Sequence, residues 1–174
     1  RLVVVGLSIN GMLALRLAQL YPPLVRALGV LAAPVFLFGA QERMIRALGR
    51  GPGAYLAVPK LFGSDVRDRE ARRQNPATRA MPLRALVSMV DLIAAVRQTL
   101  PSVTQPTLLA HGAHDKTVPP ACLGELAGRL GTPRADLHVL WLSESGHLLP
   151  IDVEREVLCR EVERHLARYL APPP

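Results

Sequence analysis

Aromatic residues are scarce: three Phe, three Tyr and one Trp make up 4% of the 174 residues. A core must then be built from Leu, Val and Ala, which fits a chain that is 49% hydrophobic. The same scarcity leaves little for nucleic-acid bases to stack on. Lysine is nearly absent, with only Lys60 and Lys116, so the net charge of +7 is carried by arginine. The arginines are spread along the chain, and the densest stretch, Arg67 to Arg73, is interleaved with Asp68 and Glu70. That pattern reads as a solvated charged face rather than a nucleic-acid stripe, so no nucleic-acid partner is expected. The basic balance leaves a peripheral lipid interface open. Cysteine is limited to Cys122 and Cys159, too few and too far apart for a disulfide framework. They are expected as free thiols in a reducing, cytoplasmic compartment. No apolar run reaches the roughly 18–20 residues of a membrane span; the nearest, from Val25 to Phe38, is interrupted by Arg26, Gly29 and Pro34. No internal repeat and no leader segment is visible.

Three short stretches carry chemistry. Leu2 to Val5 is an apolar run that leads into Gly6-Leu7-Ser8-Ile9-Asn10-Gly11. A buried strand, a sharp turn tipped by serine and then a helix make a nucleophile elbow, which lifts the hydroxyl clear of a sheet so that a base can reach it. The second glycine of the G-x-S-x-G pattern is replaced by Asn10, with Gly11 next to it. Leu108 to Pro119 is a second strand and loop, with Asp115 at its tip. Leu140 to His147 is a third, with His147 at its tip. The order serine, acid, histidine is that of the α/β-hydrolase fold and differs from the orders in chymotrypsin and subtilisin. Tips at the carboxyl ends of parallel strands converge on one crevice, where ligands of open α/β sheets bind.

In Val3 to Gly11, Leu108 to Pro119 and Ser143 to Leu170, the chain resembles an α/β-hydrolase of the small carboxylesterase and monoacylglycerol-lipase type. Ser145-Gly146-His147 and the helix after it are the closest match. The resemblance implies an α/β fold with a parallel sheet flanked by helices, formed by residues 1–35 and 101–174. Residues 36–100 would be a small helical cap. It also implies Ser8 as nucleophile, His147 as general base and then acid, Asp115 as its orienting carboxylate, and the Ile9 N–H as one oxyanion donor. Phe36, Phe38, Leu86 and Met89 would line an acyl pocket. The expected partner is a small ester or lipid substrate, with no metal and no organic cofactor. Serine at position 8 sets the chain apart from dehalogenases and epoxide hydrolases of this fold, which use aspartate there.

The resemblance further implies that strands before the elbow are absent. A second oxyanion donor would be lost with them, at a cost of roughly 3–4 kcal/mol of transition-state stabilisation. The 174 residues alone are therefore expected to be weakly active or inactive. Thioester, amide and acyl-transfer chemistry remain open, as does a non-catalytic ligand-binding role.

Other readings are simpler. Met12, Leu13, Leu15, Leu17 and Leu20 predict a well-buried helix ended by Pro22-Pro23, and Leu24 to Ala33 a buried strand. Leu2 to Val5 lacks alternation, as in a parallel strand covered on both faces. Gln41 to Leu48 predicts a short helix before the breaker at Gly49 to Gly53. Tyr55 to Phe62 is apolar around Pro59. Asp65 to Gln74 is charged and expected to be exposed. Pro82 to Leu100 carries the broadest apolar stripe. A helix is expected from Pro119 or Pro120 to Leu130. Asp152 is expected to cap a last helix whose buried face runs from Val153 to Leu170, ahead of Pro172 to Pro174. Ser145 and Glu144 are weaker rivals to Ser8 and Asp115. His111 and His114 read as neighbours of the acid rather than metal ligands, and His138 and His165 as surface positions.

Overall fold

The computed structural model describes residues 2–49, 55–59, 64–76 and 80–170. Four parallel strands form the sheet: β1 (Leu2–Leu7), β2 (Val25–Leu31), β5 (Thr107–Gly112) and β6 (Leu137–Leu142), in that order across it. The pairing is continuous, from Leu7 beside Leu31, through Leu31 beside Ala110, to Gly112 beside Leu142. Each strand is followed by a crossover, as parallel neighbours require.

Helices cover both faces. α1 (Ile9–Leu20) and α5 (Cys122–Arg129) lie on one, and α6 (Arg155–Leu166) lies on the other, against β2, β5 and β6. The larger core, on the α1 side, includes Met12, Leu15, Leu28, Val30 and Leu109. The smaller one, under α6, includes Leu31, Leu108, Leu142, Leu149 and Leu158. Aliphatic side chains fill both, as the low aromatic content requires. β5 is buried at all six residues because it is central and sheathed twice.

Among the described residues β1 is an edge strand paired with β2, and Leu2 and Val5 are about half exposed. The absence of alternation in Leu2 to Val5 does not here mean cover on both faces. α1 is likewise less buried than its leucines suggest: Met12 and Leu15 are fully buried, whereas Leu13 and Leu20 face solvent. With leucine on nearly every side, the pattern could not say which side meets the sheet. On the last helix Leu158 and Leu166 are buried, but Val153 and Leu170 are exposed.

Between β2 and β5 lie α2 (Gln41–Leu48), a two-stranded antiparallel ribbon of β3 (Ala57–Pro59) and β4 (Ala80–Pro82), α3 (Arg69–Gln74) and α4 (Leu83–Gln98). α4 packs against both α2 and α1. Its Leu83 and Val90 pack with Ile45 of α2, while Ile93 and Val96 join the main core beside α1. The glycine-rich breaker at 50–53, residues 60–62 of the apolar stretch and Pro172–Pro174 fall outside the described residues. Asp65 to Gln74 is not exposed throughout: Val66 is completely buried and Asp65 is half-buried. No helix among the described residues is long and apolar enough to cross a membrane.

Candidate active site

Ser8 sits between β1 and α1 with φ 58° and ψ −126°, a left-handed backbone that costs a non-glycine residue about 1–3 kcal/mol. The turn holds it there. The Ser8 N–H donates to the Leu31 carbonyl at 2.7 Å, and the Gly11 N–H to the Ser8 carbonyl at 2.9 Å. Gly6 permits the sharpness of the turn, since a Cβ there would run into the Asn10 carbonyl. Asn10 is itself exposed, so the imperfect position of the sequence pattern costs the turn no space. Ile9 opens α1, and its N–H is among the first-turn amides that no helical carbonyl can satisfy.

His147 lies in the loop after β6, buried to 5% exposure. Its Nε2 is 2.9 Å from Ser8 Oγ, and its Nδ1 is 2.8 Å from Asp115 Oδ2. An ionised Asp115 can only accept, so Nδ1 carries the hydrogen and Nε2 is left to accept the Ser8 hydroxyl proton. Asp115 is 4% exposed. Its Oδ1 accepts the backbone N–H groups of Thr117 and Val118, each at 2.8 Å. Burial alone would push this carboxyl up. The His111 and His147 rings and the Val118 N–H outweigh it and hold the group well below 3.8, so it stays ionised. His111 is 1% exposed, with Nε2 3.0 Å from Asp115 Oδ2 but off the line of a hydrogen bond. His114 is exposed in the loop beside it.

The three tips are thus brought together, and the rivals are not. Glu144 is exposed beside Arg67, 3.9 Å away. The Ser145 hydroxyl is turned to Glu154 Oε2 at 2.7 Å. Phe36 and Met89 pack against the main core, Leu86 packs on the Ile45 cluster, and Phe38 is 38% exposed. Among the described residues no group of three or more His, Cys, Asp or Glu is placed to hold a metal ion.

Two carboxylates that tie the loops together were missed by the sequence reading. Asp152 does not cap the last helix, which starts at Arg155 after Glu154. It is fully buried instead. Its Oδ2 accepts the Gly146 N–H at 2.7 Å, and its Oδ1 accepts those of Arg67 and Asp68 at 2.8 Å each. Asp65 bridges the other two loops. Its carbonyl accepts the N–H groups of His147 and Leu148 at 3.1 and 3.2 Å, and its Oδ2 accepts from the Lys116 N–H at 2.8 Å and Thr117 Oγ1 at 2.9 Å. Gly112, at the end of β5, allows the approach, because a Cβ there would strike the Ser145 and Gly146 carbonyls. The only sequence signal for either carboxylate was an acid beside a loop, which is common on surfaces.

The family model for serine aminopeptidase, S33, matches residues 1–154. A carboxylesterase of Bacillus subtilis (strain 168) is 24% identical over 163 residues, 94% of this chain and 62% of the relative, so the chain spans about three fifths of that protein's length. Among solved structures, one of two metagenome-derived lipolytic enzymes superimposes with a TM-score of 0.81 at 24% identity, over 97% of this chain and 64% of that one. The monoacylglycerol lipase of Paleococcus ferrophilus does so with a TM-score of 0.83 at 17% identity, over 96% and 68%. At these identities the structures establish the α/β-hydrolase fold.

Proposed function

The chain belongs to the serine aminopeptidase S33 family, and from that premise we propose a serine hydrolase cleaving carboxylic esters through an acyl-enzyme. The observation that carries the reading is a single imidazole bridging Ser8 Oγ at 2.9 Å and Asp115 Oδ2 at 2.8 Å. Ser8 Oγ attacks the ester carbonyl carbon while its proton passes to His147 Nε2. Asp115 keeps the hydrogen on Nδ1 and stabilises the imidazolium. The tetrahedral oxyanion takes the Ile9 N–H at the positive end of α1. The imidazolium then protonates the leaving alkoxide. Water, deprotonated by His147, attacks the acyl-enzyme and returns the free acid and Ser8.

Esters are favoured over amides by the similarity to a carboxylesterase and to lipolytic and monoacylglycerol-lipase structures. Short to medium acyl esters and monoacylglycerols are the substrate class, with Phe36, Phe38, Leu86 and Met89 as acyl-pocket residues. Residues 36–100 act as the cap. Labelling with a fluorophosphonate tests the reading: adduct on Ser8 and none in Ser8→Ala is expected. A folded but unlabelled natural full-length protein would favour the ligand-binding alternative. Hydrolysis of p-nitrophenyl butyrate but not of an aminoacyl anilide separates esterase from peptidase.

A further inference from the structure

We propose that the cleft between the C-terminal end of α6 and the start of β6 binds a small oxyanion, best a phosphate group. The cleft has a volume of about 290 Å³ and is lined by Ala135, Leu137, His138, Arg164, His165 and Arg168. It lies at the opposite end of β6 from the loop that carries His147, so it is no part of the Ser8 site.

A residue lining the cleft carries an unsatisfied donor. His165 is buried to 8% exposure, against the sequence expectation of a surface residue. The Arg168 guanidinium lies 3.3 Å from its Nδ1, and Arg168 Nε donates to the His165 carbonyl at 3.1 Å. Arginine can only donate, so Nδ1 is an acceptor and the hydrogen of the neutral ring sits on Nε2. That Nε2 is buried and has no hydrogen-bond partner among the described residues. A buried, unpaired N–H on a residue that lines a cleft together with two arginines calls for an acceptor that carries negative charge.

The surrounding charges support an anion. His138 stacks on His165 with centroids 5.6 Å apart and planes 23° from parallel. Its Nε2 lies 2.9 Å from Glu161 Oε2, off the hydrogen-bond line. Glu161 is already paired with Arg164. Asp136 is a further acid whose charge reaches His165, and Arg168 stands 4.9 Å over the Tyr169 ring. Burial first, then the charges of Arg168 and His138, hold His165 below its ordinary value; Asp136 opposes them and Arg164 adds to them. A bound anion offsets the neighbouring positive charges, so binding and protonation of His165 reinforce each other and affinity rises as pH falls through the imidazole range. Two arginines and an imidazole line the cleft from three different side chains. This suits a tetrahedral oxyanion better than a flat carboxylate. Inorganic phosphate and a phosphate monoester present the same group.

Sulfate is the probe, because it does not titrate in this range. Histidine ring resonances of the full chain are followed during sulfate titration at pH 6 and pH 8, with chloride at matched ionic strength as control. Saturable shifts of His138 and His165, tighter at pH 6, are expected. Arg168→Gln and Arg164→Gln should each weaken binding about tenfold, the loss of one charge-assisted contact. His165→Gln should remove the pH dependence. Parallel titrations with inorganic phosphate and glycerol 3-phosphate separate the sources: equal affinity assigns the free anion, and tighter binding of the ester assigns a monoester. Shifts matched by chloride, or unchanged in both arginine variants, would overturn the proposal.

Discussion

At one end of β6 His147 lies 2.8 Å from Asp115, and at the other His138 lies 2.9 Å from Glu161. Distance does not separate the two pairs; their surroundings do. Asp115 is buried and fixed by two further backbone donors, while Glu161 is reached by Arg164 from solvent. The His147 loop is stitched through Gly146 to Asp152 and through its own N–H to Asp65. The hydrogen-bond geometry follows the support: His147 is aligned on both ring nitrogens, and His138 is off line. A histidine–carboxylate contact acquires a directed proton path only where neighbouring backbone groups hold both partners in place. A half-buried pair of the same length without that support is worth little.

The largest break in this contrast is Ser8→Ala, expected to lower ester turnover by up to about 10⁶-fold, with fluorophosphonate labelling abolished. Asp115→Asn should cost about 10⁴-fold in kcat by favouring the wrong tautomer of His147. His138→Gln, its counterpart at the other pair, should leave kcat unchanged and shift stability by less than about 1 kcal/mol. Equal losses in the two would end the comparison.

Asp152→Ala comes next. It strands the N–H groups of Gly146, Arg67 and Asp68, and should destabilise the fold by about 3 kcal/mol, read as a fall in urea midpoint, while lowering kcat. If stability falls and kcat in the folded fraction does not, the loop stitching has no part in aligning His147.

Acid should divide the two ends by pH range, since both lose stability as pH falls but in different windows. Asp115 binds its proton less readily folded than unfolded, where its value is near 3.8, so its contribution is complete above that pH and is lost as pH falls below it. Asp115→Asn should flatten the acid limb of a stability–pH profile. His165 is also held low when folded, so its contribution is present above about 6.5 and declines as pH drops below that value. His165→Gln should remove a loss of stability on mild acidification that Asp115→Asn leaves in place. The smallest effect is chemical. Burial raises the Cys122 thiol, whereas Cys159 is exposed, so iodoacetamide should modify Cys159 first.

The legible part of this protein was its periodicity and its punctuation. β6 and α2 lie where the sequence put them, and α4 and β2 differ only at their ends, because apolar runs bounded by Gly and Pro are local signals. The three site tips were legible because each pairs a strand-like run with an exposed turn. Asp152 was misread as a cap because capping is judged from the next three residues, while its partners, Arg67 and Asp68, lie more than eighty residues away. His165 was misread because a lone polar residue on a helix has no local mark of burial. Leu2 and Val5 were read as covered on both faces because the strand's own residues cannot say whether a helix lies over them.

Local order alone determined where strands end in turns, that Ser8, Asp115 and His147 occupy such turns in that chain order, and that the core is aliphatic. Tertiary structure decided the rest: which carboxylates became buried acceptors, which helix faces met the sheet, and that a charged helix end closed over two histidines. Burial and hydrogen-bond satisfaction depend on groups distant along the chain, and these become neighbours only once the parallel crossovers have brought the strand ends to a common rim.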